Sequence, residues 1–464
     1  MSDSLARTIR ELVAEDLASP EASDLLGDDR REYARQQVIV HLDALTSAQG
    51  TRWSGADGLC ADTLLDEQQL ARQVLDALFG MGGLQTLIDD PDIENIDING
   101  CDQVWATYAD GSKRSVRAVA DSDEELIDMV RSAASRFGLS ERRFDLARPE
   151  LDLRLPDGSR LSALMAVSRR PAVSIRRHRY ADLSLDDLTA MGTLDPELAS
   201  LLGAAVRARR NIVVSGAMNS GKTTLLRALA AEVPPRERIV TIEQAFELGL
   251  DSAGDRHPDM VALEARPANV EGEGVISVAD LVRRALRMNA DRVIVGEVLG
   301  DEVLPMLNAM SQGRSGSMCT IHADSSAGVF RRIASYAVQA PERLPLEASN
   351  LLIAGAVHLV VHLDSEMHDH PEQWGDGVEG NSTGWEGAGG SRLRFAAQSS
   401  RRRFVSSVRE VVDAEGVQVI SNEVYRPGPD RRAVVSSPLR PETQQELVRF
   451  GYRPTPAMMS GALL

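Results

Sequence analysis

The sequence predicts an α/β protein in which a parallel-sheet domain follows a small α+β domain and an N-terminal helical extension. Three observations carry this. Over 181–364, short apolar runs alternate with helix-periodic segments, the pattern of a parallel sheet with crossover helices. Over 83–180, short strand-like runs flank turn residues such as Asn99-Gly100 and Pro156-Asp157-Gly158, with one helix-periodic stretch at 124–137. Residues 1–82 are polar and helical in pattern, with amphipathic pieces at 32–45 and 64–79 and a Gly/Ser-containing break between them.

In the parallel-sheet domain, strands are expected at 212–215, 238–243, 292–297, 317–322 and 358–363. Residues 365–391 are rich in Gly, Asp, Glu and His and poor in aliphatics. Such a segment cannot bury enough apolar surface to fold alone, so a disordered insertion is expected there. The remaining 392–464 read as an extension made of a hairpin, 404–412 with 417–425, and a helix at 442–450.

Composition bounds the function. With 464 residues, 43% hydrophobic and 26% charged, the chain has ample core for two or three domains of an ordinary globular protein. A net charge of −18 argues against wrapping nucleic acid, which needs concentrated Lys and Arg, so no nucleic-acid partner is expected. Three scattered cysteines suit a reducing compartment. The N-terminus lacks a charged-then-apolar signal pattern, and the longest apolar run, at 351–361, is too short to span a bilayer. A cytoplasmic protein is expected, peripheral to the membrane through partners.

The chemistry is announced by Gly216-Ala-Met-Asn-Ser-Gly221-Lys222-Thr223, which reads G-x-x-x-x-G-K-T. An apolar strand precedes it, and Leu225, Leu226, Leu229 and Val233 follow at helical spacing until Pro234-Pro235. That context makes Gly216, Ala217, Met218, Asn219, Ser220, Gly221, Lys222, Thr223 and Thr224 a phosphate cradle. Loop N–H groups and the positive helix end face the phosphates, Lys222 reaches the β- and γ-phosphates, and the Thr223 hydroxyl ligates Mg²⁺. ATP with Mg²⁺ is the expected ligand. Hydrolysis further needs a carboxylate at the end of a neighbouring strand to orient water. Val293-Ile-Val-Gly-Glu297 supplies Glu297 there, after a glycine that permits close approach.

The chain resembles the motor ATPases of type II and type IV secretion and type IV pili (the GspE/PulE superfamily), most of all the CpaF-like tight-adherence, or Flp pilus, branch. The resemblance rests on Arg266-Pro-Ala-Asn-Val-Glu-Gly272, Asp280-Leu-Val-Arg-Arg-Ala-Leu-Arg-Met288, Asp291-Arg-Val-Ile-Val-Gly-Glu297 and Gly313-Arg-Ser-Gly-Ser-Met-Cys-Thr-Ile-His-Ala323. Upstream, Asp152-Leu-Arg-Leu-Pro-Asp-Gly-Ser-Arg160 and Ser174-Ile-Arg-Arg177 are similar to the arginine-bearing strands of that family's N-terminal domain. It covers 83–365 and continues at 421–428. The resemblance implies a RecA-like P-loop NTPase domain and a homo-hexameric ring that works with inner-membrane platform proteins. It further implies that Glu243 and Glu247 organise metal and water, Glu297 acts as the base-like glutamate, and His322 senses the γ-phosphate. Arg154, Arg160, Arg176 and Arg177 would offer cations to the terminal phosphate.

Four positions depart from the family pattern. Asn219 replaces a loop glycine, Gln244 an Asp, Leu299 an Arg and Arg314 the first histidine of its box. Asn tolerates left-handed backbone best after Gly, so the loop is expected to survive. Two readings follow: a hydrolysing motor for pilus assembly or secretion, or a nucleotide-gated ring of the same machine with weak or no hydrolysis. A DNA translocase is disfavoured by the acidic balance.

Overall fold

The computed structural model describes residues 2–20, 22, 25, 27–48, 70–76, 78–109, 111–137, 143–177, 183–252, 256–266, 268–269, 271–311, 315–369 and 399–455. They form two compact units, Met1–Arg177 and His178–Leu464.

In the first unit, helices α1 (Ser2–Leu17) and α2 (Gly27–Ala48) bury Ile9 and Val13 against Val38, Leu42, Leu70 and Val74 in a small core of their own. Of the helix expected over 64–79, residues 70–76 and 78–79 are helical, and the earlier part lies outside the described residues. The rest of the unit is an antiparallel six-stranded sheet, β3-β2-β1-β6-β5-β4. Its strands are β1 Ile93–Asn99, β2 Val104–Tyr108, β3 Lys113–Val116, β4 Glu150–Arg154, β5 Arg160–Leu164 and β6 Ala172–Arg176. Alternation in β4 to β6 turns Leu151, Leu153, Leu161, Ala163, Val173 and Ile175 into one core with Leu126, Val130 and Ala133 of α3 (Asp123–Phe137). The opposite face carries the polar residues.

The second unit is built on a nine-stranded sheet in the order β15-β14-β13-β12-β7-β11-β10-β8-β9. Strands β7 (Ile212–Gly216), β8 (Ile239–Glu243), β9 (Met260–Glu264), β10 (Arg292–Val298), β11 (Met318–His322) and β12 (Leu359–Asp369) run parallel. The strands β13 (Ser399–Glu415), β14 (Gln418–Pro427) and β15 (Ala433–Val435) add on antiparallel. Every residue of β7 and β8 is buried, because helices cover both faces. On one face α4 (Leu185–Ala190), α5 (Pro196–Arg207) and α6 (Lys222–Ala230) pack with Ile212 and Val214. On the other, α7 (Val278–Ala285), α8 (Val303–Ser311), α9 (Gly328–Gln339) and α10 (Leu346–Ala356) pack with Val213, Val240 and Ile242. The expected final helix is α11 (Pro441–Arg449).

One expectation needs correction. Residues 365–369 belong to β12 rather than to an insertion, and pair with β13 at Ser365↔Arg403 through Asp369↔Ser399. Ladder hydrogen bonds come from the main chain, so a polar segment can extend a strand once a partner strand is in place. The remainder of the expected insertion, 370–391, lies outside the described residues. Strand β9, half-buried at the sheet edge, was not among the strands expected from the sequence.

At the foot of the sheet a fully buried Asn211 joins four segments. Its amide nitrogen donates to Met310 O at 2.9 Å and Ala356 O at 2.6 Å, and its oxygen accepts from Gly316 N at 2.7 Å and Ser317 N at 3.0 Å. Asn211→Ala would leave all four backbone groups without that partner. It is expected to lower stability by ~3 kcal/mol, the scale of a few orphaned buried polar groups. Urea unfolding of the full chain checks this, and an unchanged midpoint would contradict it.

Candidate nucleotide-binding site

The site lies at the carboxyl ends of the parallel strands, where loops leave the sheet and main-chain groups are uncommitted. Strand β7 delivers Gly216 there. A Cβ at Gly216 would collide with Ser220 Oγ and sit 2.5 Å from the Leu363 carbonyl oxygen of β12, so only glycine lets the loop fold back onto its neighbour strand. Asn219 adopts φ 59° and Gly221 φ 93°, both left-handed, and α6 begins immediately at Lys222. The Asn that replaces a glycine thus takes the conformation it tolerates best. Met218 crowns the loop, exposed, while Ser220 is buried beneath it. Thr223 and Thr224 occupy the first turn of α6.

The strand order β7-β11-β10-β8 then lines up the other chemical groups side by side. Gly216 of β7 is in register with His322 of β11. The Lys222 ammonium donates to Ala217 O at 2.9 Å and to His322 Nδ1 at 3.2 Å. His322 Nε2 lies 2.5 Å from a carboxylate oxygen of Glu297, on β10. An ammonium can only donate, so Nδ1 accepts and Nε2 carries the proton toward Glu297. Lysine, histidine and glutamate form one continuous chain of polar contacts.

Glu243 ends β8 and is almost wholly buried. One of its carboxylate oxygens accepts from Glu247 N at 2.9 Å and Leu248 N at 2.8 Å. Burial outweighs these bonds and pushes its carboxyl up to about 7, so neutral and charged forms are both populated near neutrality. A Cβ at Gly296 would lie 3.0 Å from Glu243 Cγ, so the glycine before Glu297 makes room for Glu243. Glu247 is held to the same place through its main chain. Gln244 and Leu299 are exposed just past the ends of β8 and β10, and Arg314 lies outside the described residues. Among the described residues no cluster of three or more His, Cys, Asp or Glu could cage a metal ion. Mg²⁺ needs none, since it takes one or two protein oxygens and completes its shell with phosphates and water, which the Thr223 hydroxyl beside a phosphate loop would suit.

In the first unit, Arg154, Arg160 and Arg176 stand at one level on the polar face, Arg154 opposite Arg160 and Arg160 opposite Arg176. Arg177 departs from that set. Its guanidinium donates to the Asp90 carbonyl and to Ile93 O at 3.4 Å, and lies 3.9 Å from Asp157. It fastens the chain after β6 to the turn before β1.

The sequence reading missed three features. A cavity of about 390 Å³ adjoins the loop, walled by Leu183, Leu188, Thr224, Leu225, Leu363 and Arg403. Arg403 of β13 donates from Nε to the Asn219 carbonyl at 3.0 Å. His362 of β12 is buried beside Ser215, with Nδ1 2.9 Å from Ser215 Oγ, and burial holds its ring below the usual histidine range. The run Arg401-Arg-Arg403 opening a strand was the available signal for the second of these.

Known proteins share this arrangement of sequence. A family model described as "Type II/IV secretion system protein" matches residues 80–433. A putative conjugal transfer protein of Mycobacterium tuberculosis is 37% identical over 295 residues, 62% of this chain and 80% of that protein. The type IV secretion system protein VirB11 of Brucella suis is 29% identical over 341 residues, 67% of this chain and 91% of that protein. The crystal structure of the Brucella suis VirB11 ATPase with sulphate aligns at 28% identity and a TM-score of 0.32, covering 66% of this chain and 93% of that one. No helix among the described residues is long and apolar enough to cross a membrane. With the family match spanning the antiparallel sheet, the phosphate loop and the strand-end carboxylates together, the chain belongs to the type II/IV secretion system protein family.

Proposed function

We propose that the chain binds Mg·ATP on the loop at 216–224 and hydrolyses it as the motor of a pilus-assembly or secretion machine. The observation that carries this is the contact chain from Lys222 through His322 to Glu297, next to the loop that ends β7. Lys222 and the first turn of α6 receive the phosphates, and the adjoining cavity takes the nucleoside. His322 fixes one oxygen of Glu297 and so aims the carboxylate that orients the attacking water. Glu243 and Glu247 add negative charge near the metal, and the buried Glu243 gains its full charge only when a cation or rising pH favours it.

Arg154, Arg160 and Arg176 are proposed as cations for the terminal phosphate on the family resemblance, with Arg160 lying 4.0 Å from Asp152. The assembly is a homo-hexameric ring at the cytoplasmic side of an inner-membrane platform, of the tight-adherence (Flp) kind, in which nucleotide-driven closure does work on partners. The second reading, a nucleotide-gated ring with little turnover, is favoured by Gln244, which takes a carboxylate away from the end of β8, and by the uncharged Leu299.

Two variants separate binding from chemistry. Lys222→Ala is expected to abolish binding of a fluorescent ATP analogue with the circular dichroism spectrum unchanged. Glu297→Gln is expected to bind the analogue normally and lose about a hundredfold in turnover, the scale of one transition-state contact. Near wild-type turnover in purified Glu297→Gln would remove Glu297 from its role.

Assembly is read separately by light scattering. The −18 charge opposes association at low salt, so smaller species are expected without ligand and hexamers with Mg²⁺ and a non-hydrolysable analogue. A monomer persisting at concentrations on the order of 10 µM with saturating analogue would contradict the ring.

A further inference from the structure

The phosphate loop is tied to a part of the chain that the G-x-x-x-x-G-K-T motif does not include. Strand β12 pairs in parallel with β7, placing Leu363 level with Gly216. On its other side β12 pairs antiparallel with β13, where Leu363 faces Val405 and Ser365 faces Arg403. Position 403 is therefore two residues past the level of Gly216, on the side from which the loop leaves the sheet. The strand extension through 365–369, which the polar composition concealed, is what carries β13 that far.

From there Arg403 makes two contacts with the loop. Its Nε–H donates to the Asn219 carbonyl at 3.0 Å. Its stem covers the second motif glycine, since a Cβ at Gly221 would lie 3.2 Å from Arg403 Cδ. The same side chain borders the cavity beside Thr224 and Leu225. Asn219 is the one non-glycine residue of the loop in left-handed backbone, at φ 59°. That conformation is tolerated by Asn yet still disfavoured relative to glycine, so the loop apex has competing conformers. A charge-assisted hydrogen bond to its carbonyl fixes the plane of the peptide between Asn219 and Ser220.

We infer that Arg403 is a positioning residue that holds the apex of the phosphate loop in its anion-accepting shape, so that the C-terminal antiparallel strands set nucleotide affinity. The inference rests on the nucleotide reading above. Its logic is that of a competent fraction: apparent affinity falls in proportion to the share of molecules whose loop is correctly folded. Arg403 acts on the loop, not on the reacting atoms, so its loss shifts KM and leaves kcat at saturating ATP nearly intact.

The test uses full-length wild type, Arg403→Ala, Arg403→Gln and Arg426→Ala. Arg426 is an exposed arginine on β14, paired with Val434 and remote from the loop in the ladder, and controls for charge. Arg403→Ala is expected to weaken Mg·ADP binding about fivefold to tenfold, the scale of one net hydrogen bond, and to raise KM alike with kcat within about twofold. Hydrogen exchange at 216–222 in ligand-free protein should quicken. Arg403→Gln, whose amide can still donate to the Asn219 carbonyl, should recover most of the affinity, and Arg426→Ala should match wild type. If Arg403→Ala fails to fold, the same comparison is made with Arg403→Lys, which keeps the charge but loses the Nε–H, and the same direction of change is expected. Mg·ADP affinity and loop exchange equal to wild type would overturn the inference, as would a loss confined to kcat. Wild type that fails to bind Mg·ADP would sink the nucleotide reading instead, while the exchange measurement would still report whether Arg403 holds the loop.

Discussion

The close approach of the loop to β12 at Gly216 is the constraint on which the site depends. The loop can turn back over the sheet only because no Cβ stands between Ser220 Oγ and the Leu363 carbonyl. That turn sets the start of α6 at Lys222, and with it the reach of the ammonium to His322. The parallel register does the rest. With Gly216 level with His322, and β10 and β8 next in order, the strand ladder brings Glu297 and Glu243 to the same edge, where His322 then holds the Glu297 carboxylate. The buried main-chain ladder positions the chemistry, and the side chains refine it.

Much of this was legible in sequence because it rests on backbone grammar. The glycines of the loop, the apolar runs of β7 and β10 and the Gly-Glu ending of Val293 to Glu297 each declare a conformation locally. The tolerance of Asn219 for left-handed backbone followed from its residue type alone. What stayed hidden depends on pairing between distant segments. The polar 365–369 extension of β12 is stable only because β13 lies beside it, and Arg403 meets Asn219 across a separation that no local pattern encodes. The contacts of Arg177 were hidden for a related reason. Next to Arg176 in sequence, this residue lies just past the end of the strand, and its guanidinium turns to the carbonyls of Asp90 and Ile93.

Charge at this edge is set by burial as much as by partners. Glu243 is held near neutrality in its titration because the strand end is dry, although two main-chain N–H groups favour its anion. Burial likewise holds His362, below the loop, under the usual histidine range, so the cations at the loop are Lys222 and, from β13, Arg403. An anion entering beside Lys222 therefore meets a fixed positive centre in a low-dielectric setting, where it is worth most. The glutamates stand on the far side of His322, separated from the lysine by an imidazole that contacts both Lys222 and Glu297.

A crystal structure of the full chain with Mg²⁺ and a non-hydrolysable ATP analogue tests the central claim most directly. The account predicts the β- and γ-phosphates on the backbone of the loop at 216–222, Lys222 Nζ bonded to them, and Glu297 still held by His322 on the side of the γ-phosphate. An analogue bound elsewhere, or phosphates on the loop with Glu297 turned away from them, would contradict it.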